Sequence, residues 1–281
     1  MGKTKKKVIL AIEYVFLCFV SFLCAFPFLW MIIGATNTSS DVMRNKMTFG
    51  SALWNNLQTL LQPEKGFVTG LSNTIITTVV TTLLSLLVCS LAGYSFTMYR
   101  SQKREKLFNI LLLTMMIPFS SIMVPLYRMF AQMNKIPVLK LVGLNTLGAM
   151  ILPSVSTAFL IFFFRQNAKS FSKELAEAAR IDGLGEWAIF FKIFFPVMRS
   201  TFATGAIVSF MNSWNNYLWP LLVAQSPQVR TLPMVLSALG QSYTADYGAL
   251  MTAIVIATLP SALVYFLMQK EFVAGMTGAV K

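Results

Sequence analysis

The amino-acid sequence predicts an all-α, polytopic membrane protein with six transmembrane helices, and three observations support this prediction. The chain of 281 residues is 56% hydrophobic and only 12% charged, which is about half the charge of a typical soluble domain. Its apolar residues form long stretches, and about 20 such residues are enough for a helix to cross a bilayer. Almost all charged residues lie between these stretches.

Six apolar stretches qualify as membrane spans when a few flanking residues are included. They cover residues 8–33, 71–98, 107–124, 147–164, 201–223 and 247–268. The first follows a basic segment, as the apolar region of a signal peptide does, but it is longer and ends without a small-residue cleavage site. We therefore expect a retained helix, and one transmembrane domain over residues 1–281.

Four prolines lie within the predicted spans: Pro27, Pro118, Pro220 and Pro260. Proline is tolerated in membrane helices, because neighbouring groups and waters bind the freed backbone carbonyls. For each proline we favour an ordinary kink over the alternative of a hinge for a gate.

The lysines and arginines are distributed unequally between alternate connecting segments. Segments on the side of the amino terminus carry 16 of them, and segments on the other side carry 7. Basic residues accumulate on the cytoplasmic side of membrane proteins. The bias predicts that both termini are cytoplasmic and that residues 34–70 and 125–146 face outward.

Composition also excludes several function classes. The net charge of +13 is explained by the basic cytoplasmic segments, so we expect no nucleic-acid partner. The chain has no histidine, which removes the His-based catalytic triads and the commonest metal ligand. Cys18, Cys24 and Cys89 lie inside apolar stretches without zinc-ligand spacing, so we expect packing roles and no metal site.

Charge inside the spans bears on the energy source. Glu13 is the only ionisable carboxylate or base within a predicted span, and it lies near the inner end. Proton-driven carriers usually keep carboxylates in the membrane as relays. The absence of such carboxylates weakens the hypothesis of an ion-coupled secondary transporter. Sodium coupling through backbone carbonyls remains an alternative. A membrane scaffold or receptor without transport activity is the second alternative.

The longest cytoplasmic segment, residues 165–200, predicts two helices joined by a turn. Ser172 is a candidate N-cap, and the following residues are strong helix formers. Asp182 and Gly183 form a turn signal, because glycine readily adopts a positive φ at a helix end. A second helix is expected over residues 186–195, and Pro196 precedes the fifth span.

This segment resembles the EAA loop of ABC importer permeases. The matching residues are Glu177, Ala178, Ala179, Asp182, Gly183, Ile193 and Pro196, with Phe195 where the family usually has leucine. The resemblance implies a loop that docks on a cytoplasmic ATPase and transmits its closure. Residues 165–200 are therefore called the coupling loop.

A second resemblance concerns the substrate. Residues 214–221, 231–233 and 272–281 resemble signatures of carbohydrate-uptake permeases, and specifically of the second permease of maltose-type systems. The resemblance suggests a substrate pathway at Trp214, Asn215, Asn216 and Tyr217. The aromatic members could stack on a sugar, or they could belong to an interfacial aromatic belt.

Together the resemblances imply a permease subunit of a sugar importer in the bacterial cytoplasmic membrane. The implied partners are a homologous second permease, two ATPase subunits, an extracytoplasmic sugar-binding protein, membrane lipid and the sugar. The sequence contains no glycine-rich phosphate cradle. We therefore expect this chain to bind no cofactor and to have no enzymatic activity, with ATP–Mg²⁺ used by the ATPase subunits.

Overall fold

The computed structural model describes residues 3–242 and 245–276, with side chains described at 6–242 and 245–270. The described residues form α-helices and no strand, which confirms the predicted all-α class. The last signature is described only as far as Met276, because residues 277–281 lie outside the described residues. The helices are α1 (Lys3–Ala35), α2 (Ser39–Met43), α3 (Leu53–Leu60), α4 (Phe67–Met98), α5 (Gln102–Thr114), α6 (Phe119–Met133), α7 (Leu147–Val155), α8 (Ala158–Ala168), α9 (Lys173–Ile181), α10 (Glu186–Ile189), α11 (Phe195–Val197), α12 (Arg199–Trp214), α13 (Leu218–Val223), α14 (Leu232–Gln241) and α15 (Tyr247–Met276).

Four helical segments of the described chain are long and apolar enough to cross a membrane: Lys6–Ala35, Phe67–Met98, Leu147–Ala168 and Tyr247–Lys270. Two sharply bent helix pairs raise the count to six if each pair crosses once. They are Gln102–Thr114 with Phe119–Met133, and Glu186–Val197 with Arg199–Trp214. The structure therefore confirms a polytopic membrane protein.

The prediction of one continuous helix over the third span, residues 107–124, is wrong. Helix α5 ends at Thr114, α6 begins at Phe119, and the two axes differ by 102°. Pro118 lies at the break. It has no N–H to donate, and its ring disfavours helical backbone at the preceding residue. Its predicted role as an ordinary kink therefore understates its effect.

The fifth predicted span, residues 201–223, is also interrupted. Helix α12 ends at Trp214 and α13 begins at Leu218. The side-chain amide of Asn215 donates to the Met211 carbonyl at 2.9 Å, which satisfies a group at the end of α12. Pro220 lies in the first turn of α13, where a missing N–H costs little. The sequence 215–217 thus ends one helix before the next begins.

Internal contacts divide the chain into two compact units. Unit 1 comprises Met1–Phe67 and Val235–Leu259. Its small core joins the end of α1 to α2 and α15 through Ala35, Val42 and Met251. The buried amide of Asn56 donates to the carbonyls of Ala35 and Asn37, each at 2.8 Å, so the end of α1 is capped by a side chain of α3.

Unit 2 comprises Val68–Met234 and Pro260–Lys281. Its larger core is aromatic and joins α4, α8 and α12 to the coupling loop around Phe164, Phe190 and Phe194. Two glycines let the helices approach Phe164. A Cβ at Gly93 would lie 2.6 Å from the Phe164 Cβ, and one at Gly205 would lie 3.0 Å from the Phe164 ring.

We predict that Gly93→Ala destabilises the permease. The added methyl would meet both the Phe164 side chain and the backbone nitrogen of Arg165, at 2.8 Å, so relief requires a shift of helix α8. Overpacking of this kind costs about 1–3 kcal/mol. Thermal unfolding of the detergent-purified protein should therefore occur several degrees lower than in the wild type.

Gly185→Ala is the matched control, because a Cβ there meets no atom within 4 Å and φ is −75°. Its unfolding temperature should equal that of the wild type. Equal unfolding temperatures for Gly93→Ala and Gly185→Ala would contradict the close packing of α4 on α8.

Candidate functional site

The first helix of the coupling loop, α9, ends in a Schellman motif. The Gly183 N–H donates to the Arg180 carbonyl at 3.0 Å, and the Leu184 N–H donates to the Ala179 carbonyl at 2.9 Å. Gly183 has φ +80°, which is unfavourable for residues with a Cβ. The prediction of a positive-φ glycine that closes the first helix is confirmed.

The start of α9 agrees in part with the prediction from the sequence. Ser172 occupies the N-cap position, as predicted, but its side chain caps no backbone N–H. Its hydroxyl donates instead to the carboxylate of Glu174 at 3.0 Å. Glu174 lies in the first turn, where the helix dipole favours an anion.

The second helix of the loop extends from Glu186 to Val197 and contains a π-helical turn at Phe190–Phe194. This agrees with the predicted helix at 186–195. Phe190 and Phe194 stack at 5.5 Å, and both are buried. Pro196 follows, and the chain then bends by 85° into α12. One side of the second helix is therefore held in the core of unit 2.

The predicted coupling residues divide into an exposed and a buried group. Ala179 is buried, and Ile193 packs against the same core. Five others are exposed: Glu177, Ala178, Asp182, Gly183 and Pro196. The loop thus presents the exposed side of α9 and its turn to the surroundings, while its buried side is fixed to unit 2.

A polar cluster that the sequence analysis missed joins the loop to α4. Arg180 donates to the Glu186 carboxylate at 2.7 Å, which links the ends of the two loop helices. The Tyr94 hydroxyl donates to the same carboxylate at 3.4 Å, and the Arg180 guanidinium lies 5.8 Å from the Tyr99 ring centre. The hydrogen bond from Arg180 lowers the pKa of Glu186 below its usual value. Opposite charges on either side of the Gly183 turn were the available sequence signal.

A second ion pair fixes the beginning of the coupling loop to a neighbouring helix. Arg165 is buried at the end of α8 and donates to both carboxylate oxygens of Glu105, at 2.6 and 2.7 Å. Its guanidinium also lies 3.8 Å from the ring centre of Phe108. The hydrogen bonding from Arg165 lowers the pKa of Glu105 below its usual value. The pair connects α5 to the start of the loop.

Unit 2 also contains a cleft of about 520 Å³, called the polar cleft because eight of its fifteen lining residues carry a hydroxyl or a side-chain amide. Four of its residues, Ser209, Asn212, Ser213 and Asn216, come from α12 and the residues after it. The polar cleft is lined in full by Thr81, Ser85, Phe119, Pro153, Ser154, Thr157, Phe159, Leu160, Val208, Ser209, Asn212, Ser213, Asn216, Leu218 and Trp219.

Three helix breaks meet at the polar cleft. Phe119 begins α6 after the first break, Thr157 follows the break between α7 and α8, and Asn216 lies between α12 and α13. Irregular backbone at membrane depth is tolerated where it is buried in protein or lines a cavity. Broken helices also commonly form the solute sites of transporters.

The four predicted substrate-pathway residues have different surroundings. Asn216 lines the polar cleft. Asn215 is exposed and donates its amide to its own helix at Met211. Trp214 is buried and stacks on Phe210 at 5.6 Å, and Tyr217 is partly exposed at 36%. The structure therefore brings one of the four to the cleft.

The other polar residues of the cleft were missed, although the sequence carries a signal for them. Ser209, Asn212, Ser213 and Asn216 recur at the i, i+3, i+4 and i+7 spacing of one helix face. Thr81 and Ser85 recur at i, i+4 on α4. Polar faces within apolar spans indicate an aqueous or polar surface inside a membrane protein.

Comparison with known proteins identifies the family. Residues 85–278 match the family described as binding-protein-dependent transport system inner membrane component. The chain belongs to this family. The resemblance to ABC importer permeases and the location in the cytoplasmic membrane are thereby confirmed.

The permease is also similar to individual proteins over almost its full length. It is 46% identical to the lactose transport system permease protein LacG of Rhizobium radiobacter, over 96% of each chain. It is 36% identical to the arabinooligosaccharides transport system permease protein AraQ of Halalkalibacterium halodurans, over 94% of this chain and 93% of the relative.

A solved structure shares the fold. The crystal structure of a bacterial ABC transporter involved in the import of the acidic polysaccharide alginate matches with a TM-score of 0.81. The match covers 97% of this chain and 99% of the other chain at 20% identity.

We predict that Glu186→Gln loosens the coupling loop from α4. The substitution removes the charge that Arg180 and Tyr94 contact. Because the pair is partly exposed, the loss should be at most about 1 kcal/mol. Amide hydrogen exchange over residues 182–188 should accelerate by up to roughly fivefold.

Glu174→Gln is the control, because Glu174 contacts Ser172 on its own helix. It should leave exchange over residues 182–188 unchanged. Identical exchange in the two variants would show that the Glu186 cluster does not hold the loop.

Proposed function

We propose that this chain is a permease subunit of an ATP-driven importer that carries a sugar or oligosaccharide by alternating access. In this proposal the coupling loop contacts the ATPase subunits. When these subunits close, the loop moves with them and displaces the membrane helices. The carrying observation is the division of the loop: Glu177 and Gly183 are exposed, while Phe190 and Phe194 are buried in the core of unit 2.

The sugar class is supported by the names of two relatives. The protein at 46% identity is a lactose permease, and the one at 36% identity is an arabinooligosaccharide permease. Both similarities extend over more than nine-tenths of this chain. A saccharide is therefore the favoured solute class.

The partners follow from the type of system. We propose a homologous second permease, two ATPase subunits that use ATP–Mg²⁺, and an extracytoplasmic binding protein that delivers the sugar. This chain forms one transmembrane domain in lipid, binds no cofactor and takes no nucleic acid. The excess of lysine and arginine on one side favours cytoplasmic termini and a cytoplasmic coupling loop.

The proposed mechanism depends on the attachment of the coupling loop to α4, through which movement of the loop reaches the membrane helices. When the ATPase subunits close on ATP, they would draw the exposed side of α9 toward the partner permease. The second loop helix moves with α9 through the Arg180–Glu186 ion pair. The contacts of Tyr94 with Phe190, at 5.5 Å, and with Phe194, at 4.9 Å, carry the displacement to α4. Thr81 and Ser85 of α4 line the polar cleft, so the cleft changes its access.

We predict that Glu177→Lys separates the permease from its ATPase subunits. Glu177 is an exposed acidic residue in a loop that holds six basic and four acidic residues, and reversing a charge at a protein interface is unfavourable. ATPase recovered with affinity-purified permease should fall roughly tenfold, corresponding to about 1.4 kcal/mol. ATP-dependent uptake should fall with it.

Glu64→Lys supplies the control, since it is the same charge reversal at an exposed residue outside the coupling loop. It should leave ATPase recovery and uptake at wild-type values. Samples are compared at equal permease content. Full ATPase recovery with Glu177→Lys would refute docking at α9.

A further inference from the structure

We infer that the exposed side of helix α5 is a binding site for one anionic phospholipid, in the leaflet on the side of the coupling loop. The headgroup binds Lys103 and Lys106, and an acyl chain lies along Ile110 and Leu113. The inference goes beyond the proposed function and needs only the location of the permease in a membrane. The name α5 lipid face is used below for Lys103, Lys106, Leu107, Ile110 and Leu113.

Helix α5 has a packed side and an exposed side. On the packed side, Phe108 is only 2% exposed. Its ring lies 5.3 Å from the ring of Phe96 on α4 and 6.4 Å from the ring of Phe162 on α8. Leu111 and Leu112 pack against the same core. With 3.6 residues in each turn, the α5 lipid face points away from this core.

The apolar part of the α5 lipid face is an exposed stripe. Leu107, Ile110 and Leu113 are 57%, 59% and 62% exposed, and their spacing of three residues places them along one side of the helix. Helices α5 and α6 together are long and apolar enough to cross the membrane, so this stripe is placed to contact acyl chains. Lys103 lies about 10 Å along the helix from Ile110. A cation followed by an apolar stripe matches the order of headgroup and acyl chain in a phospholipid.

The start of α5 carries an excess of positive charge that its own sequence does not neutralise. Residues 100–106 contain one acidic residue, Glu105, and four basic residues, Arg100, Lys103, Arg104 and Lys106. Both carboxylate oxygens of Glu105 accept hydrogen bonds from the buried Arg165, at 2.6 and 2.7 Å. Glu105 therefore compensates a cation in the protein interior, while the lysines on the exposed side keep their charge. Clusters of basic residues beside a membrane span are typical of binding to anionic lipid.

Two further sources of positive potential lie at the same end of α5. Lys103 and Arg104 lie in its first turn, where the helix dipole is positive and cations are unfavourable. Arg100 and Lys169 both interact electrostatically with the Glu105 carboxylate, which places two more cations nearby. A bound anion reduces the repulsion among these groups. An anionic headgroup supplies a net negative charge, whereas a phosphatidylcholine headgroup carries its own cation and supplies none.

The inference is tested by native mass spectrometry of the assembled complex with the full-length permease. The complex is purified in detergent and titrated with phosphatidylglycerol or with phosphatidylcholine that has the same acyl chains. We expect the wild type to bind phosphatidylglycerol at least tenfold more tightly. In Lys103→Gln/Lys106→Gln, the affinity for one phosphatidylglycerol per permease should fall about thirtyfold, because each cation near an anionic lipid contributes about 1 kcal/mol. Phosphatidylcholine binding should change less than twofold.

Lys6→Gln/Lys7→Gln is the matched control, because it removes two exposed lysines at the start of another apolar helix, α1. It should bind phosphatidylglycerol as the wild type does. Equal losses in the two double variants would indicate general surface attraction and would overturn the inference, as would equal wild-type affinity for the two lipids. Recovery of the ATPase subunits is measured on the same samples. Normal phosphatidylglycerol binding with loss of these subunits from Lys103→Gln/Lys106→Gln would assign the α5 lipid face to a protein partner and refute the inference.

Discussion

The packing around Phe164 joins the coupling loop to helices that line the polar cleft. The ring lies against Phe202 of α12 at 5.0 Å, and Gly93 and Gly205 leave room for it. The same core holds Phe190 and Phe194 of the coupling loop. Helix α4 is continuous from Phe67 to Met98. About 20 Å of it separate Tyr94, at the coupling loop, from Thr81, at the polar cleft. In the proposed mechanism a displacement of the loop moves α4 as one rigid helix, because close-packed cores transmit strain.

The membrane imposes a second constraint on the same unit. Backbone groups in a bilayer need internal partners, so helices break only where protein or a cavity supplies them. The chain breaks near Pro118, Thr157 and Asn216, and residues at all three breaks line one cleft. The breaks thus belong to one feature of the fold, whereas each proline in isolation is equally consistent with an ordinary kink.

Much of this could be read from the sequence, for reasons that differ between elements. The long spans at α1, α4 and α15 follow from apolar length, which needs no tertiary information. The Gly183 turn follows from local backbone chemistry. The breaks at Pro118 and Asn215 were missed because hydropathy averages over about 20 residues and does not detect a change of direction. The Tyr94–Glu186 contact was missed because those residues are 92 positions apart in the chain. The polar face formed by Ser209, Asn212 and Ser213 is present in the sequence as a helical spacing, but spacing alone does not show that this face lines a cleft.

The central claim is that movement of the coupling loop reaches the polar cleft through α4. The most direct measurement is the thiol-labelling rate of Asn216→Cys in the assembled complex, with Cys18, Cys24 and Cys89 replaced, before and after addition of a non-hydrolysable ATP analogue. The account predicts that the nucleotide changes the labelling rate several-fold, and that Gly183→Val abolishes this change while the complex remains assembled. A nucleotide-induced change of the same size in Gly183→Val would contradict it.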